Sequence, residues 1–376
     1  MSRTSNHQAP NQRLHRAHAR TAQGPDCVRE GVPLKLSICI PTRNRAQFIG
    51  PTLESILWQL TDQCEIVVLD GASTDNTADV VQQYAKRCSR VRYCRLDTCN
   101  GFDRDCDIAV EVARGEYCWL MTDDDLIKPG AVDLILQACQ QDLSLIVVNV
   151  EARDLTMTKV LQPRWIDIQA SRTYTPEQME ELFVEAAAVL KYVGSVIIRR
   201  TIWLTREKRR YYGSWFTYLG VVFQERLPGN ALVIAEPCVS YRKGNAHCYS
   251  SGLSEIWFSK MPVVLASLTT VSAAAKNKFW MTKPWTDVLE LLRLRALGIY
   301  SMVEYRRWIR PQLNSIREAL MPICIALLPG LIVNASRMLY YAVTRRHRGV
   351  WRPELELQML RESRYFIGNL RIFRRT

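Results

Sequence analysis

Short apolar runs alternate with segments of helical periodicity through the first half of the chain. The strands predicted from these runs begin at Leu36, Glu65, Arg90, Glu116 and Ser144. Each of the first four is followed by a segment whose apolar residues recur at helical spacing. Buried strands that alternate with helices of this length are typical of a parallel sheet with helices on both faces. The sequence therefore predicts an α/β fold built on a mostly parallel sheet.

The pattern loosens in the second half of the chain. A helix is predicted over 176–190, and apolar runs at 193–199 and 231–241 are expected to extend the sheet. A long amphipathic helix is predicted over 284–310, where Pro311 ends it. The second half is therefore expected to add a few strands and then become helical.

The first 33 residues carry five arginines and little apolar content. Such a composition cannot bury a core and predicts a disordered basic tail. The tail also lacks the apolar segment of a signal peptide, and the twelve cysteines form no CxxC pair. We therefore expect the protein to reside in a reducing cytoplasm.

The end of the chain is apolar and then basic. Residues 320–333 form the most apolar window, but a spanning helix needs about 20 apolar residues and Pro322 and Pro329 interrupt this one. An interfacial or re-entrant segment is predicted, with a buried core hairpin as the alternative. Residues 341–376 hold nine arginines against three glutamates, with interleaved aromatic residues. This mix suits an anionic membrane surface; nucleic acid would use the same chemistry, and a solvated helical face is the simpler alternative.

Polar groups follow three of the predicted strands, over residues 41–45, 70–75 and 122–125. In open α/β sheets, ligands gather beyond the carboxyl ends of the strands. One polar strand end carries little information, because every strand must stop somewhere. Three polar strand ends on one edge of a sheet indicate a ligand-binding site.

The triplet Asp123, Asp124 and Asp125 is the sharpest of these features. Adjacent carboxylates repel one another, and Mg²⁺ or Mn²⁺ takes oxygen ligands that include carboxylates and substrate phosphates. The lack of neighbouring histidines argues against zinc. The alternative is an acidic turn before the helix that follows Pro129. The chain has neither a GxxxxGK[ST] loop nor a GxGxxG turn after the first strand, so a P-loop ATPase and a dinucleotide dehydrogenase are disfavoured.

These motifs resemble the donor-binding half of family 2 glycosyltransferases with the GT-A fold. The matching segments are Ser-Ile-Cys-Ile-Pro-Thr-Arg-Asn-Arg at 37–45, Val-Val-Leu-Asp-Gly-Ala-Ser-Thr-Asp-Asn-Thr at 67–77, and the stretch 113–125 that ends in the aspartate triplet. Gly-Phe-Asp-Arg-Asp at 101–105 is similar to abequosyltransferase-like members. The resemblance covers about a third of the chain.

The resemblance implies a role for each matching residue. It implies that Thr42 and Arg43, after Pro41, lie beside the nucleotide, that Asp70 hydrogen-bonds the base and that Asp123 faces the ribose. Asp124 would be the main metal ligand, with Asp125 a further candidate. Arg104 or Arg114 would contact phosphate, although a surface role suits Arg114 better.

The resemblance does not supply a catalytic base. Family members carry an acidic residue near the acceptor, but the stretch 211–219 here is aromatic and has no carboxylate, and Glu225 comes later. The aromatic residues would stack on sugars or pack in a core. A loop over 241–247 is the counterpart of loops that close over the diphosphate in some related enzymes. Arg242, Lys243 and His247 are its candidates, with His247 near the metal and a plain surface loop as the alternative.

The sequence thus predicts a glycosyltransferase domain over 34–260, divided into a nucleotide-sugar half (34–150) and an acceptor half (151–260). A helical basic region over 261–376 would dock on the inner face of the cell membrane. The expected function is metal-dependent transfer of a hexosyl or deoxyhexosyl group from a nucleoside-diphosphate sugar to a saccharide, expected to be lipid-linked, in surface polysaccharide (O-antigen) synthesis. The membrane, not nucleic acid, is the expected macromolecular partner. The alternatives are a catalytically silent carbohydrate-binding or scaffold protein and a sugar nucleotidyltransferase.

Overall fold

The computed structural model describes residues 20–21, 33–245, 253–281, 283–343 and 353–369. These residues form a mixed sheet of eleven strands. The strands are Arg20–Thr21 (β1), Leu36–Thr42 (β2), Cys64–Asp70 (β3), Val91–Arg95 (β4), Tyr117–Leu120 (β5), Leu126–Ile127 (β6), Leu145–Arg153 (β7), Val160–Gln162 (β8), Arg172–Tyr174 (β9), Val196–Arg199 (β10) and Ala231–Arg242 (β11).

The helices fall into two groups. Those of the sheet half are Ala46–Leu57 (α1), Thr77–Arg87 (α2), Phe102–Val112 (α3), Ala131–Cys139 (α4), Met179–Glu185 (α5), Arg200–Thr205 (α6) and Thr217–Phe223 (α7). Those of the second group are Leu253–Glu255 (α8), Met261–Ser267 (α9), Ala273–Phe279 (α10), Val288–Ala296 (α11), Met302–Glu304 (α12), Ile316–Leu327 (α13), Gly330–Val343 (α14) and Pro353–Glu362 (α15). Short 3₁₀ turns and the π-helical stretches Ile256–Lys260 and Tyr305–Ile309 connect or extend them.

The centre of the sheet is parallel, as the alternating pattern predicts. Strands β4, β3, β2 and β5 lie side by side in that order, and every pair among them is parallel. All seven residues of β2 and of β3 are buried, because helices cover both faces of these strands. The carboxyl ends of β3, β2 and β5 therefore lie along one edge of the sheet.

Beyond β5 the sheet becomes mixed. The apolar runs at 193–199 and 231–241 are confirmed as strands β10 and β11. Strand β10 lies antiparallel between β5 and β7, while β11 is parallel to β7. An apolar run reports burial and not strand direction, so the sequence pattern did not show this reversal.

Two predicted helices are shorter than expected. The helix over 284–310 is interrupted, because α11 ends at Ala296 and Gly298 adopts a left-handed φ of +78°. The amides of Gly298 and Ile299 then donate to the last helical carbonyls, which is how a glycine ends a helix. The segment 176–190 contains α5 and isolated 3₁₀ turns on either side of it.

The boundary predicted at residue 260 does not coincide with an edge of the core. The main buried cluster continues from the sheet through Met261 and Phe279 to Trp280. A second cluster, around Leu291 and Tyr300, holds the later helices together. The second group of helices is therefore packed onto the sheet half from its beginning as far as Trp280.

The apolar window at 320–333 folds as two helices, α13 and α14, whose axes differ by 82°. Their inner sides are partly buried, whereas their outer sides expose a set of large apolar side chains: Ile316, Leu320, Leu327, Leu331, Ile332, Leu339 and Val343. We call α13 and α14 together the apolar hairpin. Among the described residues no single helix has the length and apolarity to cross a bilayer, and this bent pair passes that test only when its two helices are taken together.

Several predicted features lie outside the described residues. Apart from residues 20, 21 and 33, the basic tail over 1–33 belongs to this group; β1 pairs with β4 in antiparallel fashion. Of the nine arginines at the end of the chain, the structure describes Arg361 and Arg364.

Asn334 joins three helices and yields the first testable prediction. Its buried side-chain amide, on α14, donates to the carbonyls of Ala296 at 3.0 Å and Leu360 at 2.9 Å, which end α11 and lie on α15. Asn334→Ala removes both hydrogen bonds, although Ser363 still donates to each carbonyl through its hydroxyl or its backbone amide, so we expect the free energy of unfolding to fall by about 1–3 kcal/mol. Urea denaturation measures this change. The control is Asn314→Ala at an exposed position, and equal losses in the two variants would contradict the prediction.

Candidate active site

Two of the three predicted strand ends line one cavity. Its walls are formed by the end of β2 with the loop that follows (residues 41–45) and by the segment after β5, which holds Thr122, Asp123 and Asp124. The beginning of α3 and Trp215 complete the lining. The cavity has a volume of about 450 Å³. Pro41, Thr42 and Arg43 all line this space, which we call the donor cavity.

The third strand end, after β3, supports the donor cavity from outside. The amide of Asn44 donates to Ser73 Oγ at 2.9 Å, and the amide of Arg45 donates to Thr77 Oγ1 at 2.8 Å. Asn44 has a left-handed φ of 55°, and its side chain accepts from the Thr74 amide at 2.7 Å. These contacts hold the loop after β2 in one conformation beside the cavity.

Asp70 is not among the residues that line the donor cavity, and the base-binding role that the resemblance implies for it stays a prediction. It is fully buried, and both carboxylate oxygens are used within the protein. One accepts from the Ser73 amide at 2.7 Å, and the other accepts from Tyr93 at 2.6 Å and Arg95 at 3.1 Å. Through these contacts Asp70 fixes the end of β3.

Arg104 also points away from the donor cavity, so the structure does not support its predicted phosphate contact. Its guanidinium lies 2.8 Å from Asp107 and 3.5 Å from Glu111 on the same helix, and it stacks over the Tyr212 ring. Asp105, the next residue, is the one that reaches the cavity. The motif at 101–105 was recognised from the sequence, but a helix directs neighbouring side chains about 100° apart.

Asp123 and Asp124 are the carboxylates that face the donor cavity. The carboxylate of Asp123 lies 3.4 Å from the Arg45 guanidinium. The carboxylate of Asp124 accepts a hydrogen bond from the side-chain amide of Asn245 at 2.6 Å. Burial and the charge of Asp124 raise the pKa of Asp123 to about 7, although Arg45 opposes the shift. Burial also raises the pKa of Asp124. The protein's own cations thus leave negative charge at this point incompletely balanced.

Asp125 has a different environment from its two neighbours. It is 1% exposed, and its carboxylate accepts from the Arg242 amide, from Thr122 and from Tyr192. Burial and the Asp124 charge raise its pKa to about 8. Because protein donors occupy both oxygens, Asp125 is built to hold β11 and Tyr192 in place, which leaves Asp123 and Asp124 to face a ligand.

The pair Asp123 and Asp124 fits a hard divalent cation. Within the described part of the chain, no three His, Cys, Asp or Glu side chains converge as a complete metal cage. Mg²⁺ and Mn²⁺ do not need one, since one or two carboxylates plus substrate phosphates are a common ligand set. The raised pKa values of both groups are the expected sign of carboxylates that have no resident positive partner of sufficient strength.

A second cavity of about 310 Å³ adjoins the first. Phe102, Thr122, Asp124 and Trp215 line both spaces. The other walls of the second cavity are largely aromatic and come from both halves of the molecule: Trp165, Tyr192, Phe216, Tyr218, Tyr241, Trp257 and Trp280. We call it the aromatic cavity. Met359 of α15 also lines it, so the C-terminal helices complete this site.

Trp215 stands at the junction of the two cavities in a constrained conformation. Its φ is +73°, which is uncommon for a bulky residue, and its ring stacks on Phe102 with centroids 5.2 Å apart. Buried Asp103 fixes the backbone by accepting from the amides of Trp215 at 2.7 Å and Thr217 at 3.1 Å. The aromatic stretch over 211–219 therefore contributes to the site as well as to the core.

Lys191 is the cation of the aromatic cavity that sequence reasoning missed. Its ammonium group lies over the rings of Phe279 at 5.3 Å and Trp280 at 5.6 Å. Burial lowers its pKa to about 8. No local motif surrounds Lys191, so only its burial in the folded chain distinguishes it.

Of the remaining predicted site residues, some line the aromatic cavity and others do not. Glu225 is exposed, pairs with Arg206 at 3.4 Å and lines neither cavity, so the structure does not bring it to the site. Arg242 and Lys243 both line the aromatic cavity, and Arg242 Nε donates to the Asp124 carbonyl at 2.7 Å. His247 lies outside the described residues.

Comparison with known proteins identifies the sheet half. Residues 37–204 match the model of the family described as glycosyl transferase family 2. The resemblance to family 2 glycosyltransferases seen in the sequence is confirmed over these residues.

The relatives are proteins of polysaccharide synthesis. The chain is 34% identical to chondroitin synthase of Escherichia coli over 124 residues, which are 33% of this chain and 18% of that protein. It is 22% identical to abequosyltransferase RfbV of Salmonella typhimurium over 223 residues, which are 56% of this chain and 67% of that one. It is 30% identical to the putative teichuronic acid biosynthesis glycosyltransferase TuaG of Bacillus subtilis over 102 residues, 27% and 40% of the two chains. The matched region thus spans less than half of chondroitin synthase and of TuaG.

A solved structure shares the fold. Residues 1–349 of TarS from S. aureus, in complex with UDP-GlcNAc, superpose with a TM-score of 0.52 at 15% identity, covering 88% of this chain and 91% of that one. This likeness confirms the predicted GT-A architecture.

The environment of Asp125 predicts a pH dependence of stability. Its folded-state pKa of about 8 lies above the ordinary value of 3.8, so the folded protein binds the proton more tightly than the unfolded chain. The stabilisation is complete below about pH 4 and is lost as the pH rises through about 8. We expect Asp125→Asn, which keeps the acceptor for the Arg242 amide, to show a shallower decline of unfolding free energy between pH 4 and 8 than the parent. Urea denaturation in EDTA tests this, and parallel pH profiles would contradict it.

Proposed function

We propose that this protein transfers a sugar from a nucleoside-diphosphate sugar to a saccharide acceptor in the synthesis of a bacterial surface polysaccharide. The observation that carries the proposal is the pair of adjoining cavities that meet at Asp124 and Trp215. One is walled by the loops that follow parallel strands, the usual place for a nucleotide in an α/β sheet. The other is aromatic, as a surface that stacks on sugar rings must be.

The donor cavity suits a nucleoside diphosphate held through a cation. Asp123 and Asp124 would hold Mg²⁺ or Mn²⁺, with the diphosphate supplying further oxygen ligands. Such a cation offsets the negative charge that develops on the diphosphate leaving group. Asn245 orients Asp124 through its 2.6 Å hydrogen bond, and Arg45 balances Asp123. These contacts set the two carboxylates before a ligand arrives.

The aromatic cavity suits the acceptor. Trp215 lies between the two spaces, so a sugar stacked on it would lie beside the donor. Lys191 and Lys243 place positive charge among the aromatic rings, which favours an acceptor that carries an anionic group. Two of the relatives, chondroitin synthase and the putative teichuronic acid biosynthesis glycosyltransferase, have names compatible with such acceptors.

The apolar hairpin supports peripheral binding to a membrane, where a lipid-linked acceptor would be found. Several of its leucine and isoleucine side chains are more than half exposed, including Ile316 at 82% and Leu327 at 65%. Exposed apolar surface of this extent marks an interaction site in a protein of ordinary composition. The exposed arginines Arg306, Arg307, Arg310 and Arg317 lie close before or within α13, and each basic group near anionic lipid contributes about 1 kcal/mol.

Nucleotide sugars and their diphosphates, screened by thermal shift with and without Mn²⁺, test the proposal directly. A true donor at 100 times its dissociation constant stabilises the fold by about 2.7 kcal/mol. Stabilisation that requires Mn²⁺, together with slow metal-dependent hydrolysis of the donor, is the expected result. Binding without hydrolysis would favour a catalytically silent carbohydrate-binding protein.

Asp124→Asn should abolish the effect of the metal. The amide keeps the shape of the side chain but removes the charge, so we expect donor hydrolysis to fall by about 100-fold or more, since even outer partners of metal ligands are worth 10–100-fold. The matched control is Asp79→Asn, at an exposed position of α2. Calorimetry with Mn²⁺ and a nucleoside diphosphate gives an independent readout. Unchanged metal uptake in Asp124→Asn would refute the assignment.

Replacing the exposed apolar side chains of the hairpin tests membrane binding. We expect a variant with Leu320, Leu327, Ile332 and Leu339 changed to Ser to lose sedimentation with phosphatidylglycerol vesicles, because burial of these side chains in lipid drives the binding. Donor hydrolysis should be retained. Deleting the C-terminal region would be a poorer test, since Met359 lines the aromatic cavity.

The control variant changes four exposed apolar residues of the sheet half to Ser, namely Trp58, Leu155, Val160 and Leu204. It should bind vesicles as the parent does. Equal sedimentation of the hairpin variant and the parent would contradict the prediction.

A further inference from the structure

Lys191 is a cation of the aromatic cavity whose charge no described acidic residue balances. It ends the 3₁₀ turn Val189–Lys191, whose other two residues are buried in the core. Its ammonium group lies 5.3 Å from the centre of the Phe279 ring and 5.6 Å from that of the Trp280 ring. Ring faces attract a cation without neutralising it. Among the residues that the structure describes, Lys191 forms no ion pair and donates no hydrogen bond.

Two further cations line this cavity, and both have partners within the protein. The Lys243 ammonium group lies 3.7 Å from the Glu362 carboxylate. The Arg242 guanidinium donates to the backbone carbonyl of Asp124 at 2.7 Å. Because these two groups are engaged, Lys191 is the cation in the described walls of the cavity that is available to an anion entering it.

The acidic side chains of the neighbouring helices pair with Arg293 and not with Lys191. The Arg293 guanidinium lies 3.1 Å from Glu290 on α11 and 3.0 Å from Glu356 on α15. Burial is the main reason that the pKa of Lys191 is lowered to about 8; the Arg293 charge acts in the same direction, and the Glu290 charge opposes it. At neutral pH the ammonium group is therefore mainly charged. A cation held out of water in this way is costly until an anion pairs with it.

Resting on the proposed function, we propose that Lys191 binds a carboxylate or phosphate group carried by the acceptor saccharide, while the aromatic residues around it contact the sugar ring. Lys191 lines the aromatic cavity and is not among the residues that line the donor cavity. The anion that it binds therefore belongs to the acceptor and not to the diphosphate of the donor. The substrate class is an acidic saccharide, in which the sugar that enters this cavity carries a uronate-type carboxylate or a phosphate.

A neutral sugar is the substrate that this arrangement disfavours. The hydroxyl groups of such a sugar can accept a hydrogen bond from the ammonium group, but they cannot balance its charge. A carboxylate or a phosphate does both, and hydrogen bonds between two charged groups are the stronger class. Lys191 therefore selects among acceptors by their charge.

The binding of charged and neutral sugars to the full chain tests this role. The probes are glucuronate, galacturonate and glucose 6-phosphate, with glucose and galactose as their neutral counterparts, and calorimetry at neutral pH and fixed ionic strength measures their affinities. We expect at least one charged sugar to bind about 10-fold or more tightly than its neutral counterpart, which is the effect of one hydrogen bond between charged groups. A preference for the uronates or for the phosphate shows which anion the acceptor carries. Inorganic phosphate has no ring to contact and should bind more weakly; equal affinity would contradict an acceptor site.

Variants of Lys191 separate its charge from its shape. Lys191→Met removes the charge and keeps a flexible side chain beside the two rings, so we expect the preference for the charged sugar to fall about 10-fold. Lys191→Arg keeps the charge and should retain most of the preference. Lys191→Gln is a second uncharged variant, to be used if thermal melting shows that Lys191→Met is not folded. The matched control is Lys86→Met, at an exposed position of α2, which should keep the preference of the parent.

The outcomes separate this inference from the proposed function. If a nucleoside-diphosphate sugar binds with Mn²⁺ but charged and neutral sugars bind alike, the proposed function stands and the role of Lys191 is refuted. Equal losses for charged and neutral sugars in the uncharged variants also refute it, since they indicate a side chain that only shapes the cavity. If charged sugars bind through Lys191 but no nucleoside-diphosphate sugar binds, the anion site stands and the proposed transfer reaction fails. A preference that Lys191→Arg keeps and Lys191→Met loses supports the inference.

Discussion

Uncompensated negative charge at the carboxyl edge of the sheet is the constraint on which the rest of the site depends. The parallel order of β3, β2 and β5 brings three loops to one edge. Asp123 and Asp124 stand there with raised pKa values, opposed by Arg45. Carboxylates held together in this way favour a cation, because only positive charge balances their repulsion. The surrounding contacts keep the two carboxylates together.

The first turn of α3 acts as a second source of functional groups. Phe102 stacks on Trp215, Asp103 fixes the backbone beneath that tryptophan, and Asp105 enters the donor cavity. Gly101, with a φ of +86°, starts the helix in a conformation that suits glycine. This single turn therefore couples the donor cavity to the aromatic cavity, so a change in one is expected to be felt in the other.

The C-terminal helices complete the molecule in two ways. Trp257, Trp280 and Met359 close the aromatic cavity, so distant parts of the helical region contribute to one space. The apolar hairpin lies in the same helical region and is held to α11 and α15 by Asn334. If the hairpin binds lipid, the aromatic cavity and the membrane contact belong to one packed unit.

The sequence by itself determined the layered α/β architecture of the first half and the two strand ends that line the donor cavity, one of which carries the aspartate triplet. These follow from periodicity and burial, which are local properties of the chain. Only the tertiary structure decided that Asp105 and not Asp70 faces the donor cavity, and that protein donors occupy Asp125. The physical reason is that both assignments depend on partners far along the chain, such as Arg242, which lies 117 residues from Asp125. A local pattern reports which side chains are polar, while the packing of distant segments selects the ones that remain available to a ligand.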